Sequence, residues 1–251
     1  ESRLLRLRNI IVDLPPGPVQ KRMLFSAHYD AYPGSPAAND NASGVAVLLG
    51  LCQELREGQV PMRAVFFDRE EAWLRTPFLR LGLRGSLYHA FRHSLQDITA
   101  VYNLEFCGMG DYLVLWPIGN GDKDLPAVKE AREAAARLGI PSVEAHIPWY
   151  FLSSDHLSFR LKGLANALTL TLLPSARVSA IKELLSNTSV LKLLPGRRPW
   201  LPPPLSLIHT PYDTASRLSE ESLKLMLAVL LEVCKERAKL PGQDGSTSSL
   251  K

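Results

Sequence analysis

The stretch AHYDAYPGSPAANDNASG, residues 27–44, gives the clearest indication of the fold. It follows the apolar run MLFSA, which is typical of a β-strand, and it leads into the helical pattern Ser43–Arg56. The polar residues His28, Asp30 and Asp40 therefore stand where a strand gives way to a helix. In parallel α/β sheets, the carboxyl ends of the strands are where functional sites are placed.

The alternation of strand-like and helix-like segments continues along the chain. Short apolar runs predict strands that are covered on both faces, and runs with apolar residues at i, i+3, i+4 and i+7 predict helices. The predicted strands are Arg22–Ala27, Arg63–Asp68, Ile98–Leu104 and Ala165–Leu172. The predicted helices are Ser43–Arg56, Leu125–Leu138, Asp155–Leu161 and Ser219–Ala238.

This order predicts an α/β fold, a single three-layer αβα domain whose central sheet is mixed but mostly parallel, with helices on both faces. We expect residues 1–240 to form the domain and residues 241–251 to be a disordered tail. Residues 72–84 and 174–206 interrupt the alternation and are expected to be loops, the second with a short helix, VSAIKELLSN. Long loops in a compact domain often serve as lids or binding loops.

The composition is that of a globular protein, with 46% hydrophobic and 22% charged residues among 251. The net charge is +4, but the positive residues are scattered and form no basic stripe, so nucleic-acid binding is not expected. Three widely spaced cysteines do not make a disulfide framework. No apolar run approaches the roughly 20 residues that span a bilayer, so no membrane-spanning segment is expected.

The compartment and the oligomeric state are left open by the sequence. The first residues, ESRLLRLRN, do not read as a signal peptide, so none is expected within this chain. A segment preceding these residues would change that expectation. The unpaired cysteines weakly disfavour a strongly oxidising compartment.

Further acidic and histidine residues follow the other predicted strands. FFDREEA places Glu70 and Glu71 after one strand, and NLEFCG places Glu105 after the next. His209 opens HTPYDT before the last helix, and SSDH contains Asp155. Each alone has an ordinary interpretation, such as a helix cap or a solvated acidic turn. Adjacent carboxylates at a strand end, however, are costly unless a cation lies nearby.

Together these residues predict a metal site. Carboxylate oxygens and imidazole nitrogens with few soft ligands suit zinc. Two ions about 3.5–4 Å apart need a bridging carboxylate, for which Asp40 is suited. Glu70 is then left beside the metal as a general base, and Asp30 can accept the second ring N–H of His28. The predicted ligands are His28, Asp40, Glu71, Glu105 and His209.

These motifs resemble the co-catalytic zinc aminopeptidases related to bacterial leucine aminopeptidase, whose wider family includes glutamate carboxypeptidase II and the glutaminyl cyclases. The matching segments cover roughly residues 8–238. Each segment is weak alone, and their shared order carries the resemblance. In chain order they are AHYD, ANDNASG, FFDREEA, GLRGS, NLEFCG, SSDHLSF and HTPYDT.

The resemblance implies a zinc-exopeptidase-like fold and a role for each site residue. Asp40 would bridge two zinc ions, and Glu70 would activate the water and later protonate the leaving amine. Asp30 would orient His28, and Asp155 would lie near the substrate as a binding residue. The family often has a cis peptide bond after its bridging aspartate, which here is the Asp40–Asn41 bond.

The chain departs from the family pattern in three places. The family usually has aspartate where this chain has Glu105, which puts the geometry of one ion in question. Simpler aminopeptidases lack residues 72–84, whereas glutaminyl cyclases carry an insert there. Both Tyr150 and Phe151 align near the tyrosine that some members use to stabilise the oxyanion.

The leading hypothesis is a zinc-dependent exopeptidase, namely an aminopeptidase with two zinc ions and a peptide substrate. The alternative is a glutaminyl cyclase, a single-zinc acyltransferase that would use Asp40, Glu71 and His209. The intact AHYD and DNASG segments favour the peptidase because they keep a ligand set for two ions. A carboxypeptidase, suggested by Glu105, and a catalytically silent homologue are less favoured.

Overall fold

The computed structural model describes residues 7–57, 60–71, 74–75, 80–117, 124–145, 154–180 and 203–239. The strands are β1 (Ile10–Leu14), β2 (Arg22–His28), β3 (Met62–Phe67), β4 (Leu74–Arg75), β5 (Arg80–Leu81), β6 (Ile98–Leu104), β7 (Tyr112–Trp116), β8 (Ser142–Glu144) and β9 (Ala167–Leu173). The helices are α1 (Ser43–Glu54), α2 (Arg84–Arg92), α3 (Pro126–Arg137), α4 (His156–Leu161), α5, described over residues 175–180, and α6 (Glu220–Ala238).

Seven strands form the central sheet, in the order β1-β3-β2-β6-β9-β7-β8, and β4 and β5 form a separate antiparallel hairpin. In the central sheet, β2 is parallel to β3 and β6, β6 to β9, and β7 to β8. The pairs β1–β3 and β7–β9 are antiparallel. The sheet is therefore mixed and mostly parallel, as predicted.

The sheet is buried on both faces because successive strand residues point to opposite sides. Phe25 packs in the core under α1, α3 and α6, whereas its neighbour Leu24 packs on the other side with residues from α2 and α4. All seven residues of β2 are buried. This arrangement confirms the predicted αβα layering and explains why the central strands read as continuous apolar runs.

The four predicted strands and four predicted helices are all present, with ends shifted by no more than two residues. Ser219 caps α6, since its hydroxyl accepts the N–H of Ser222. Strands β1, β7 and β8 and helix α2 were not predicted from the sequence. Residues 72–84 are not simply a loop, because they contain the β4–β5 hairpin and the first residue of α2.

Several expectations concern residues outside the described part of the chain. The predicted helix at residues 178–187 is described only to residue 180, within a helix that begins earlier, at residue 175. Tyr150, Phe151 and the tail at residues 241–251 lie outside the described residues. Among the described helices, none combines the length and the apolarity that crossing a membrane requires.

Candidate metal centre

The sheet brings the predicted ligands to one edge. His28 is the last residue of β2, and Glu105 directly follows β6, the parallel neighbour of β2. Glu71 follows β3 on the other side of β2. Because parallel strands end at the same edge, these side chains converge there. Asp40 enters from the turn before α1, and His209 from the segment before α6.

Asp40 lies between two histidines and offers one oxygen to each. His28 Nε2 is 3.2 Å from Asp40 Oδ1, and His209 Nε2 is 3.2 Å from Asp40 Oδ2. His28 Nε2 is also 3.4 Å from Glu105 Oε2, and His209 Nε2 is 2.8 Å from Glu71 Oε1. The five residues thus form two groups of three that share Asp40, with the ligand atoms of each group within 4.8 Å of one another.

The electrostatics of the two groups favour a cation. Burial lowers the pKa of His28, but the carboxylates of Glu105, Asp30 and Asp40 outweigh burial and hold that pKa well above its usual value. The pKa of His209 is raised in the same way, because Asp40 and Glu71 outweigh the effect of burial. The field that stabilises protonated imidazoles here would equally stabilise a divalent ion bound between the same atoms.

The donor set fits zinc. Each group supplies one imidazole nitrogen and carboxylate oxygens, which are ordinary zinc ligands, and no thiol takes part. A carboxylate shared between the groups is what a two-metal site requires. The residues therefore fit a pair of metal ions, with His28, Asp40 and Glu105 for one and Asp40, Glu71 and His209 for the other.

Asp30 contacts both His28 and the turn that carries the two glutamates. Its carboxylate oxygens accept the backbone N–H groups of Glu70 and Glu71 at 3.0 and 3.1 Å. The main-chain carbonyl of Asp30 lies 3.1 Å from His28 Nδ1, closer than its carboxylate at 3.5 Å. Asp30 therefore fixes the position of Glu70 as well as the orientation of His28.

The turn that carries Asp40 is fastened to the end of β6. Asn41 Nδ2 donates to the carbonyl of Leu104 at 2.7 Å, and Asn39 Oδ1 accepts the N–H of Gly108 at 2.8 Å. The Asp40–Asn41 peptide bond is cis, as the family resemblance implied. These contacts hold the shared aspartate in register with Glu105.

Two residues with clear contacts at the site were missed, although both stand inside quoted motifs. Ser154, next to Asp155, donates from Oγ to Glu105 Oε1 at 2.8 Å. Asp213, in HTPYDT, accepts the N–H groups of Asn39 and Asp40 at 2.8 and 3.0 Å. Each is a polar residue within four positions of a predicted site residue, but the sequence does not show which ligand it contacts.

Asp155 is fully buried at the start of α4. Burial, with smaller contributions from Glu105 and Asp30, raises its pKa to about 7 against the opposing effect of His28. These interactions place Asp155 beside the metal groups. Its expected role in substrate binding stays a prediction.

Comparison with known proteins shows the family to which the chain belongs. A model of Peptidase family M28 matches residues 9–234. The chain belongs to peptidase family M28. Among its M28-like relatives, the aminopeptidase YwaD of Bacillus subtilis is 27% identical over 230 residues, covering 85% of this chain and 41% of that protein. The chain spans less than half the length of the curated relatives that it matches.

Solved structures place the M28 chain among two kinds of enzyme with the same fold. BSAP, a zinc aminopeptidase from Bacillus subtilis, superposes with a TM-score of 0.67 at 23% identity, over 91% of this chain and 49% of that one. The Porphyromonas gingivalis glutaminyl cyclase superposes with a TM-score of 0.67 at 19% identity, over 92% and 78%. At these identities, the comparisons support the fold rather than one activity.

Proposed function

We propose that this chain is the catalytic domain of a zinc aminopeptidase that hydrolyses the first peptide bond of peptides with a free N-terminus. The observation that carries the proposal is the position of Asp40, which offers one oxygen to each of two histidine-carboxylate groups. A single metal ion would need only one of these groups. The pairing favours two zinc ions and therefore the hydrolase.

Zinc ions held by the two groups would polarise a substrate carbonyl and lower the pKa of a water molecule toward about 7. The protein must supply the base and the positioning. Glu70 is only 5% exposed, precedes the ligand Glu71 in the same turn and belongs to neither metal group. We assign Glu70 the acceptance of a proton from the attacking water and its return to the leaving amine.

The negative field of the site also suits the preference for a chain end. Several carboxylates converge on two histidines at this edge of the sheet, and a free α-amino group carries the complementary charge. Acetylation of the substrate N-terminus would remove that charge. Asp155, which was expected to bind substrate, is fully buried in this structure, and its role toward the substrate stays a prediction.

A glutaminyl cyclase is the second candidate. The β4–β5 hairpin begins three residues after Glu71, in the place where the cyclases carry an insert. The chain also spans 78% of the Porphyromonas gingivalis cyclase but only 49% of BSAP. The complete His28–Asp40–Glu105 group weighs against this candidate, since a single-zinc enzyme would leave it unused.

A paired assay separates the two activities. Zinc per chain is measured by elemental analysis, and the same preparation is given leucine p-nitroanilide, its N-acetylated form and a peptide that begins with glutamine. The proposal expects two zinc ions, hydrolysis of the free amine substrate and little hydrolysis of the acetylated one. One zinc ion with pyroglutamate formation and no anilide cleavage would establish the cyclase instead.

A further inference from the structure

Asp213 accepts hydrogen bonds from the backbone of the segment that leads into Asp40, the shared aspartate. Its main-chain carbonyl accepts the N–H of Ala38 at 3.2 Å. Its two carboxylate oxygens accept the N–H groups of Asn39 at 2.8 Å and Asp40 at 3.0 Å. Three consecutive amides thus point at one residue, which is only 2% exposed.

The position of Asp213 in the chain connects two segments that carry predicted metal ligands. Asp213 lies four residues after His209, so it joins the segment of one metal-binding histidine to the backbone of Asp40. Asp30 makes an equivalent link, since it lies two residues after His28 and accepts the amides of Glu70 and Glu71. Each histidine segment is therefore braced by an aspartate to a carboxylate ligand on another segment.

A carboxylate is the side chain that this contact requires. Two backbone N–H groups need two acceptor oxygens, and an ionised aspartate offers both. Asparagine has the same shape but only one acceptor, so its amide group would present a donor to one of the two N–H groups.

We propose that Asp213 is a positioning residue that sets the place of Asp40 between the two histidines and thereby the affinity of both metal ions. This inference rests on the proposed two-zinc function of the site. Asp40 belongs to both metal groups, so moving its backbone alters both. A residue that touched only one outer ligand would affect only one ion.

The test is a zinc titration of the metal-free protein against a chromophoric chelator, with wild type and Asp213→Asn. We expect both binding steps to weaken by about 10- to 100-fold, the usual cost of losing a contact that orients a metal ligand. The absorption spectrum of the cobalt-substituted protein should change as well, because the geometry around the shared oxygen atoms changes. Unchanged affinities, or a change in only one step, would overturn the proposal.

Asp111→Asn is the matched control. The Asp111 carboxylate also accepts two hydrogen bonds from a neighbouring segment, from the N–H and the hydroxyl of Ser175 at 2.7 and 3.0 Å. It belongs to neither metal group. Asp111→Asn should leave both zinc steps and the cobalt spectrum as in wild type, and a loss equal to that of Asp213→Asn would overturn the proposal.

Asp213→Glu carries the test if Asp213→Asn does not fold. It keeps two acceptor oxygens but moves them by one methylene, so both steps should weaken by at least about threefold, and unchanged steps would overturn the proposal. Enzyme assays keep the two ideas apart. If both zinc steps weaken but wild type cleaves no aminoacyl substrate, the proposed function fails and the role of Asp213 stands. If Asp213→Asn keeps both affinities in an active enzyme, only this inference fails.

Discussion

Ser154 holds one oxygen of Glu105 while the other oxygen of Glu105 faces His28. The Ser154 hydroxyl donates to Oε1 at 2.8 Å, and Oε2 lies 3.4 Å from His28 Nε2. Behind Ser154, Asn103 Nδ2 donates to its hydroxyl at 2.6 Å. This chain of donors accommodates the glutamate that stands where the family usually has aspartate, because it fixes the longer side chain with one oxygen directed at the metal group.

Ser154→Ala should therefore weaken zinc binding at the His28–Asp40–Glu105 group by about tenfold or more. The second group, which contains His209, should keep its affinity, since Ser154 contacts only Glu105 among the ligands. The measurement is the same two-step zinc titration. Equal weakening of both steps would show that Ser154 acts on the whole site rather than through Glu105.

Thr171→Val is the control for Ser154→Ala. Thr171 is a fully buried hydroxyl on β9, and its Oγ1 has no hydrogen-bond partner within the described residues. Removing that hydroxyl should change neither zinc step. A loss at Thr171→Val as large as that at Ser154→Ala would mean that the titration reports general core damage.

Asp30→Asn tests what Asp30 positions. Its carboxylate accepts the amides of Glu70 and Glu71, whereas the main-chain carbonyl, which the substitution keeps, is the closer contact of His28. We expect turnover to fall by about 10- to 100-fold, with weaker zinc binding at the group that contains Glu71. If instead the His28 group loses zinc and turnover holds, Asp30 acts through the histidine, as the sequence suggested.

Much of the fold was predictable because the central strands are buried on both faces. Strands β2, β3, β6 and β9 are nearly continuous apolar runs with neighbours on each side. The edge strand β1 has an exposed start, and β8 has only three residues, so neither forms a distinctive run. Helix α2 begins after Leu83, which adopts a left-handed backbone conformation without a side-chain cap, so the usual start signal is absent.

The grouping of the predicted ligands at one edge of the sheet was predictable because parallel strands end at the same edge. The contacts that position the ligands were not. Asp213 acts on the backbone of Asp40, more than 170 positions away, and a hydrogen bond to a main-chain amide leaves no trace in the sequence of its partner. Ser154 is in the same position with respect to Glu105, since only the folded chain shows that they meet.

His89 gives the fold a specific sensitivity to acid. It is fully buried in α2, and burial, followed by the charges of His93 and Arg63, lowers its pKa to about 3. The unfolded chain binds a proton near pH 6.5, whereas the folded chain does not until about pH 3. Keeping His89 neutral therefore costs the folded state nothing above about pH 6.5. As the pH falls below that value, the free energy of unfolding decreases, by about 2 kcal/mol at pH 5.

Urea unfolding of the zinc-free protein at pH 7 and pH 5 checks this effect. His89→Leu removes the titrating group, and no hydrogen bond is lost within the described part of the chain. From pH 7 to pH 5, the free energy of unfolding of this variant should fall by about 2 kcal/mol less than that of wild type. His93→Leu, at the exposed C-cap of the same helix, should change the difference far less. A pH dependence that His89→Leu leaves intact would refute the assignment.

The rate of leucine p-nitroanilide hydrolysis by Glu70→Gln at full zinc occupancy tests whether Glu70 is the general base of a zinc aminopeptidase. Glu70 lies in the turn held by Asp30 but belongs to neither metal group. We predict that zinc per chain is unchanged and that the rate falls by about 100- to 10,000-fold, the usual contribution of a general base. A rate within about tenfold of wild type would show that proton transfer does not depend on Glu70 and would refute its assignment as the base.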